Sequence, residues 1–222
     1  MIKLRYGNTN TFFIDGLLVD TDYAGTLPAF YREIKKNGIG IKDIEYILAT
    51  HYHPDHMGLI GELMEQGVSL ILIDKQESAV HGSDHIFERD NVAFVPVEES
   101  RASVITCEES REFFKGIGIS GEAIETPSHS PDSISLMLDN GDCFVGDLEP
   151  VEYIDAYEDN ASLKDDWTRI MSFHPKRIFY AHRPEKIMGH KDIQTTMDIY
   201  ADCTEDKKKD VIQKIEGKIF VM

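Results

Sequence analysis

The sequence predicts an α/β protein with layered sheets, two sheets between helices being one arrangement of it. The first observation is one of order. Along 222 residues, β-rich runs precede helical spacings, and then strands precede helices a second time, as expected when helices cover the faces of sheets. The second is where the apolar runs stop. Three of them end in a histidine or an aspartate, at Ala49-Thr50-His51, Val145-Gly146-Asp147 and Tyr180-Ala181-His182.

Residues 2–6, 10–14 and 17–20 are β-rich and are separated by Gly7-Asn8 and Asp15-Gly16. Asp15-Gly16 between two apolar triplets is a hairpin signal. Residues 26–36 set Leu27, Phe30 and Ile34 at helical spacing, with Gly38 as the stop. The run 44–48 reads as a buried strand. His56-Met57-Gly58 then opens a helix with Leu59, Ile60, Leu63 and Met64 on one face. Residues 68–73 form another buried strand, and Asp74 caps a helix to about Val80. Within 82–106 a strand is expected over 92–97. Residues 108–115 are helical and end at Gly116. Strands follow near 122–126 and 134–138, Asn140-Gly141 makes a hairpin turn, and Cys143-Phe144-Val145 enters the next strand. Residues 148–166 read as a long acidic loop, 162–173 as a helix and 177–181 as the final strand.

Composition bounds the function. With 41% hydrophobic and 28% charged residues, the chain has the make-up of an ordinary soluble globular protein. No apolar run is long enough to span a bilayer, so no membrane partner is expected. Met1–Tyr6 has neither an apolar stretch nor a cleavage site of secretory type. Cys107, Cys143 and Cys203 are far apart, so a reducing, cytoplasmic setting is expected rather than a disulfide framework. The net charge of −17 falls entirely on residues 1–185, because 186–222 hold seven lysines and seven acidic residues. Phosphate backbones need cationic surface. Nucleic acid is therefore not an expected partner, and a small-molecule substrate is.

The chemistry concentrates in His51-Tyr52-His53-Pro54-Asp55-His56, four candidate ligands in six positions. Imidazole and carboxylate are borderline donors that zinc, iron and manganese accept. His129 sits in a turn bracketed by Pro127 and Pro131, and Asp147 and His182 end apolar runs. A lone histidine at a strand end is more often a surface or packing group. Four such positions together supply five histidines and two aspartates, enough for two metal ions. Tyr52, Asp132, Tyr153 and Tyr157 stand where they could reach substrate or support ligands, though ordinary loop structure is the simpler reading. His81, His85 and His174 fall outside the pattern.

The ordered set H-x-H-x-D-H, then His129, Asp147 and His182, closely resembles the metallo-β-lactamase superfamily over residues 1–185. The resemblance implies an αββα sandwich with a metal site at one edge of its two sheets. By position, His51, His53 and His129 would hold one divalent ion, and Asp55, His56 and His182 a second, with Asp147 bridging them. Zinc is the first expectation for both, and superfamily members also use iron or manganese. The expected reaction is attack by a metal-bridging hydroxide on a small ester, thioester, lactone or phosphodiester. Asp55 is the expected catalytic residue, ligating metal and orienting or accepting the nucleophile's proton. Where antibiotic hydrolases of the family often carry cysteine this chain has Asp147, which resembles the glyoxalase II and lactonase branches. The alternatives are a processing nuclease, an iron-dependent persulfide dioxygenase-like enzyme and a metal-binding protein whose catalysis the tail impairs.

After Pro184 the sequence changes character. Gly189-His190-Lys191-Asp192-Ile193-Gln194-Thr195-Thr196, leading to Tyr200, resembles the C-terminal box of tyrosine recombinases (phage integrases). The upstream catalytic arginines of that family have no room here. Residues 186–222 are therefore expected to be a helical remnant through which a homodimer could form, not a working recombinase.

Overall fold

The computed structural model describes residues 1–156 and 161–188. The recombinase-like box with His190 and Tyr200, the expected tail helices and dimer contact, and Tyr157 all lie outside the described residues.

The chain opens as an antiparallel meander of β1 (Ile2–Arg5), β2 (Asn10–Ile14) and β3 (Leu17–Val19). Asp15 and Gly16 both take positive φ, 45° and 92°, the pair of values that a two-residue I′ turn demands. Then come α1 (Leu27–Lys36), β4 (Tyr46–Leu48), α2 (Pro54–Met57), α3 (Ile60–Glu65), β5 (Ser69–Ile73), α4 (Asp84–Arg89) and β6 (Ser103–Ile105). These strands form a six-stranded sheet in sequence order, parallel from β3 to β6. The second half contributes α5 (Cys107–Gly116), β7 (Gly121–Glu125), β8 (Ile134–Leu138), β9 (Asp142–Phe144), α6 (Ala161–Met171), β10 (Arg177–Phe179) and β11 (Lys186–Ile187). Its five strands lie in the order β11-β10-β9-β8-β7.

Alternation along the strands sorts side chains into three cores. Leu18, Ile47, Leu70 and Leu72 face Phe30, Ile34, Leu63 and Phe87 of the helices on one side. Their neighbours Leu17, Val19, Leu48, Ile71 and Ile73 face the second sheet and meet Leu136, Phe144 and Phe179. The other face of that sheet, with Met137, Cys143 and Ile178, packs on Leu163, Trp167 and Ile170 of α6. The layers are thus helix, sheet, sheet and helix. Between the sheets the Phe12 ring meets Phe144 edge-on at 4.9 Å, and Phe144 stacks on Phe179 at 5.0 Å.

Strand direction places the site. β3 and β4 run parallel, and so do β9 and β10, so residues 20, 50, 147 and 182 emerge at one edge. Two hydrogen bonds fasten the sheets there, Asn10 N to Ala181 O at 2.7 Å and Ile134 N to Thr50 O at 2.8 Å.

The structure corrects several sequence expectations. Residues 92–97 are not a strand. Phe94 and Val97 pack on the first helical core, and the Val95 carbonyl lies against Gly61. The helix expected from His56 is two helices broken at Gly58, because the His56 carbonyl is taken by Thr21 N at 2.9 Å and Thr21 Oγ1 at 3.0 Å. The Asp74 segment is a 3₁₀ helix over Asp74–Ala79, and the acidic loop holds another over Val151–Ala156. β11 continues the second sheet past residue 185. Among the described residues no helix is long and apolar enough to cross a membrane.

Candidate metal centre

β4 delivers Thr50 and His51 into the interior, His51 being 1% exposed. His53 is extended at φ −70° and ψ 153° and Pro54 starts α2, a position where proline's fixed φ suits the helix and its missing N–H costs nothing. That turn sets Asp55 and His56 one helical step beyond His53. Gly58 lets this helix lie directly on the backbone of residues 22–24, where a Cβ would overlap Asp22 O and Ala24 N.

The other positions come from three further strand ends. After β7, Asp132 accepts from Ser130 Oγ at 2.7 Å and from Tyr52 N at 2.7 Å, locking the His129 turn to the first loop. Asp166 of α6 holds the same turn by accepting from Ser128 N at 2.8 Å. After β9, Gly146 has φ 57° and lies so close to Thr50 that a Cβ would overlap its side chain. This close approach carries Asp147 inward. After β10, Nδ1 of His182 lies 3.2 Å from Asn8 O. The Asn10 side-chain amide donates to Tyr180 O at 2.9 Å and to Arg183 O at 3.1 Å.

All seven side chains singled out in the sequence meet at this edge. One ligand atom each from His51, His53 and His129 lies within 4.8 Å of the others; the same holds for Asp55, His56 and His182, and for His51, His56 and Asp147. The Asp147 carboxylate touches both sides. Its Oδ2 is 3.4 Å from His56 Nε2 and 3.9 Å from His129 Nε2, and its Oδ1 is 3.3 Å from His182 Nε2. Asp55 Oδ2 lies 3.1 Å from His182 Nε2.

The electrostatics divide the histidines. Burial, with neighbouring imidazoles, holds His51 far below the usual imidazole range, and burial also lowers His129. Burial opposes charge on His56 as well, but Asp20 and Asp147 outweigh it and push its pKa up to about 10. The carboxylates of Asp147 and Asp55, each within 3.3 Å of Nε2, push His182 up to about 10. Burial would raise both aspartates, yet His182 and His56 hold Asp147 and Asp55 below the usual carboxylate range.

The donors fit a metal ion on a direct observation. His51 Nε2 and both ring nitrogens of His56 are buried without a hydrogen-bond partner, and the His56 contacts with Asp20 and Asp147 have ion-pair distance but not hydrogen-bond angles. Buried polar atoms left unpaired are costly and rare. Ions taking imidazole and carboxylate donors would satisfy His51 Nε2 and His56 Nε2, while His56 Nδ1 faces the Asp20 carboxylate behind the ring.

Other expectations resolve differently. Tyr52 is 2% exposed and belongs to the helical core, and Asp132 fastens loops. Tyr153 lies near the centre through Arg183. His81 pairs with Asp84 on the surface. Sequence reasoning missed Asp20, whose carboxylate accepts from Thr50 N at 2.7 Å and Thr50 Oγ1 at 2.9 Å and reaches His56. The apolar run ahead of it ends in Asp20, the same sign that marked Asp147.

The family profile described as the metallo-beta-lactamase superfamily matches residues 4–182. A probable metallo-hydrolase of Methanocaldococcus jannaschii, MJ0888, is 31% identical over 150 residues, covering 63% of this chain and 68% of that protein. The beta-lactamase-like protein 2 homolog of Caenorhabditis elegans is 25% identical over 147 residues, 64% of this chain and 43% of that relative. The chain therefore spans less than half of the nematode protein. The crystal structure of TTHA1623 in a di-iron-bound form superposes with a TM-score of 0.63 at 20% identity, covering 84% of this chain and 93% of that one. TTHA1429 from Thermus thermophilus, described as a metallo-beta-lactamase family protein, does so with a TM-score of 0.60 at 19% identity, over 89% and 75%. At such identities the two structures share a fold with this chain.

Proposed function

The chain belongs to the metallo-β-lactamase superfamily, and from that premise we propose that it hydrolyses a small ester, thioester, lactone or phosphodiester with two divalent metal ions. The observation that carries this proposal is the set of unpaired, buried imidazole nitrogens on His51 and His56, converging with His53, His129, Asp55, Asp147 and His182.

His51, His53 and His129 would hold one ion and Asp55, His56 and His182 the other, with Asp147 serving both. Zinc heads the candidates on donor chemistry, with iron or manganese also suited. Bound there, such ions supply hydroxide at neutral pH and polarise the electrophile's oxygen. The chain's own groups do the rest. Asp55 is only partly buried, so its carboxylate would be open to a proton from the attacking nucleophile. Asp20 and Thr50 hold the rings of His56 and His51 from behind. The adjoining cleft, about 180 Å³ between His129, Asp147, His182 and Arg183, suits a small substrate, and the acidic body disfavours long nucleic acids.

The test is hydrolysis by the purified full chain across a lactone, thioester and phosphodiester panel. Turnover should vanish on chelation and return with zinc, iron(II) or manganese(II). Full turnover by a folded, metal-stripped chain would overturn the proposal.

A further inference from the structure

Asp55 and His182, two of the three side chains grouped for the second ion, arrive from different sheets, one after β4 and the other after β10. A single turn between β1 and β2 touches both. The Asn8 carbonyl lies 3.2 Å from Nδ1 of His182. The buried Thr9 hydroxyl donates to the Asp55 carbonyl at 2.7 Å.

The bond from Thr9 stands in for one that the helix does not make. In an unbroken α-helix the Asp55 carbonyl accepts from the N–H of residue 59. Here the helix breaks at Gly58, and Leu59 N goes to Thr21 Oγ1 at 3.3 Å. A carbonyl at a helix end must find its partner elsewhere, and for Asp55 that partner is Thr9. The Thr9 hydroxyl thus fixes where α2 presents the Asp55 side chain.

Thr9 is itself held from behind. Asp22 is buried, and its Oδ2 accepts from Thr9 N at 2.9 Å while its Oδ1 accepts from Tyr23 N at 2.7 Å. Gly7 makes room for it, since a Cβ there would overlap this carboxylate. A plain turn needs no buried carboxylate, which is costly to desolvate. A turn that must hold one carbonyl in place gains from the stronger bonds that a carboxylate accepts.

The first ion's side chains hang on other groups. Gln76 is buried, and its Nε2 lies 3.1 Å from both Ala49 O and Asp132 O and 3.3 Å from Thr50 O. It ties the strand end before His51 to the turn that carries His129, which Asp166 also holds.

We infer that Thr9, with Asp22 behind it, is a positioning residue for the second ion and not for the first. The second ion itself rests on the two-metal proposal above. Loosening this turn would then leave a folded chain with one ion at His51, His53 and His129.

Zinc calorimetry with a competing chelator, paired with elemental analysis, tests this on the full chain as wild type, Thr9→Val, Thr9→Ser, His182→Ala and Thr9→Val with His182→Ala. The binding step that His182→Ala removes marks the second ion. Thr9→Val, which keeps the side chain's shape, should weaken that step about tenfold or more and leave the other unchanged. Thr9→Ser, which keeps the hydroxyl, should restore it. Added to His182→Ala, Thr9→Val should cost the remaining ion nothing, because both changes then act on one site. Asp22→Asn turns a donor toward one of the two backbone N–H groups; it should weaken the same step, and it decides the matter where Thr9→Val fails to fold. Two unchanged steps, or equal weakening of both as a general loosening would give, overturn the inference while the two-metal proposal stands. A wild type that takes up one ion or none overturns both.

Discussion

Oδ2 of Asp20 lies 3.1 Å from Nδ1 of His56, and neither side chain is more than 2% exposed. The same carboxylate accepts from the backbone and hydroxyl of Thr50, and Thr50 Oγ1 lies 3.2 Å from His51 Nδ1. One buried group thus steadies a ring on each side of the centre.

Carboxylates behind ligand imidazoles fix ring orientation, and losing one typically costs 10–100-fold in metal affinity. Asp20 has φ 57°, a conformation asparagine tolerates. Asp20→Asn is expected to keep the fold and weaken metal binding about ten- to a hundredfold. Competition against a chelator of known affinity measures this, and unchanged affinity would remove Asp20 from the support of the centre.

Gly146 offers a backbone test. A methyl group there would meet strain at φ 57° and overlap Thr50. Gly146→Ala is expected to cost about 1–3 kcal/mol and to loosen the metal centre, because the strand end carrying Asp147 must move. Denaturant midpoint and bound metal should fall together. A variant of wild-type stability with full metal would show that this approach is not needed.

Metal uptake should be pH-dependent in a stated direction. In the metal-free chain His56 and His182 are pushed up to about 10, so both carry protons at neutral pH, while His51 and His129 are neutral. Raised values stabilise the metal-free fold fully below about pH 6.5, the ordinary histidine value, and that contribution fades as pH climbs toward about 10. An entering ion must displace the two protons, so its binding strengthens over the same window. The depressed values of His51 and His129 act below about pH 6.5 and leave the window alone. The melting-temperature gap between loaded and metal-free chain should widen from about pH 6.5 to about pH 9. Calorimetry in buffers of different ionisation enthalpy should register proton release. A narrowing gap would contradict the charge assignment.

What could be read from the sequence follows from locality. His51, His53, Asp55 and His56 are legible because their spacing sits on one turn. His129, Asp147 and His182 are legible because apolar strands stop beside them. Asp20 escaped notice since a single aspartate after a β-rich run looks like any turn residue, and its partner Thr50 is 30 positions away. The run 92–97 misled for a related reason. Its apolar residues cover helices rather than pair in a sheet, and composition alone cannot tell the two kinds of burial apart. The break at Gly58 comes from a carbonyl captured by Thr21, a contact between distant segments that helical spacing does not encode.

If these seven side chains hold two ions, the metal content of the folded chain must show it. Elemental analysis of the purified chain, after loading and removal of excess metal, is predicted to give about two equivalents. His129→Ala and His182→Ala should each fall toward about one, and Asp147→Ala should lose both more readily. A folded wild-type chain that takes up no metal, or whose content none of these substitutions changes, would contradict it.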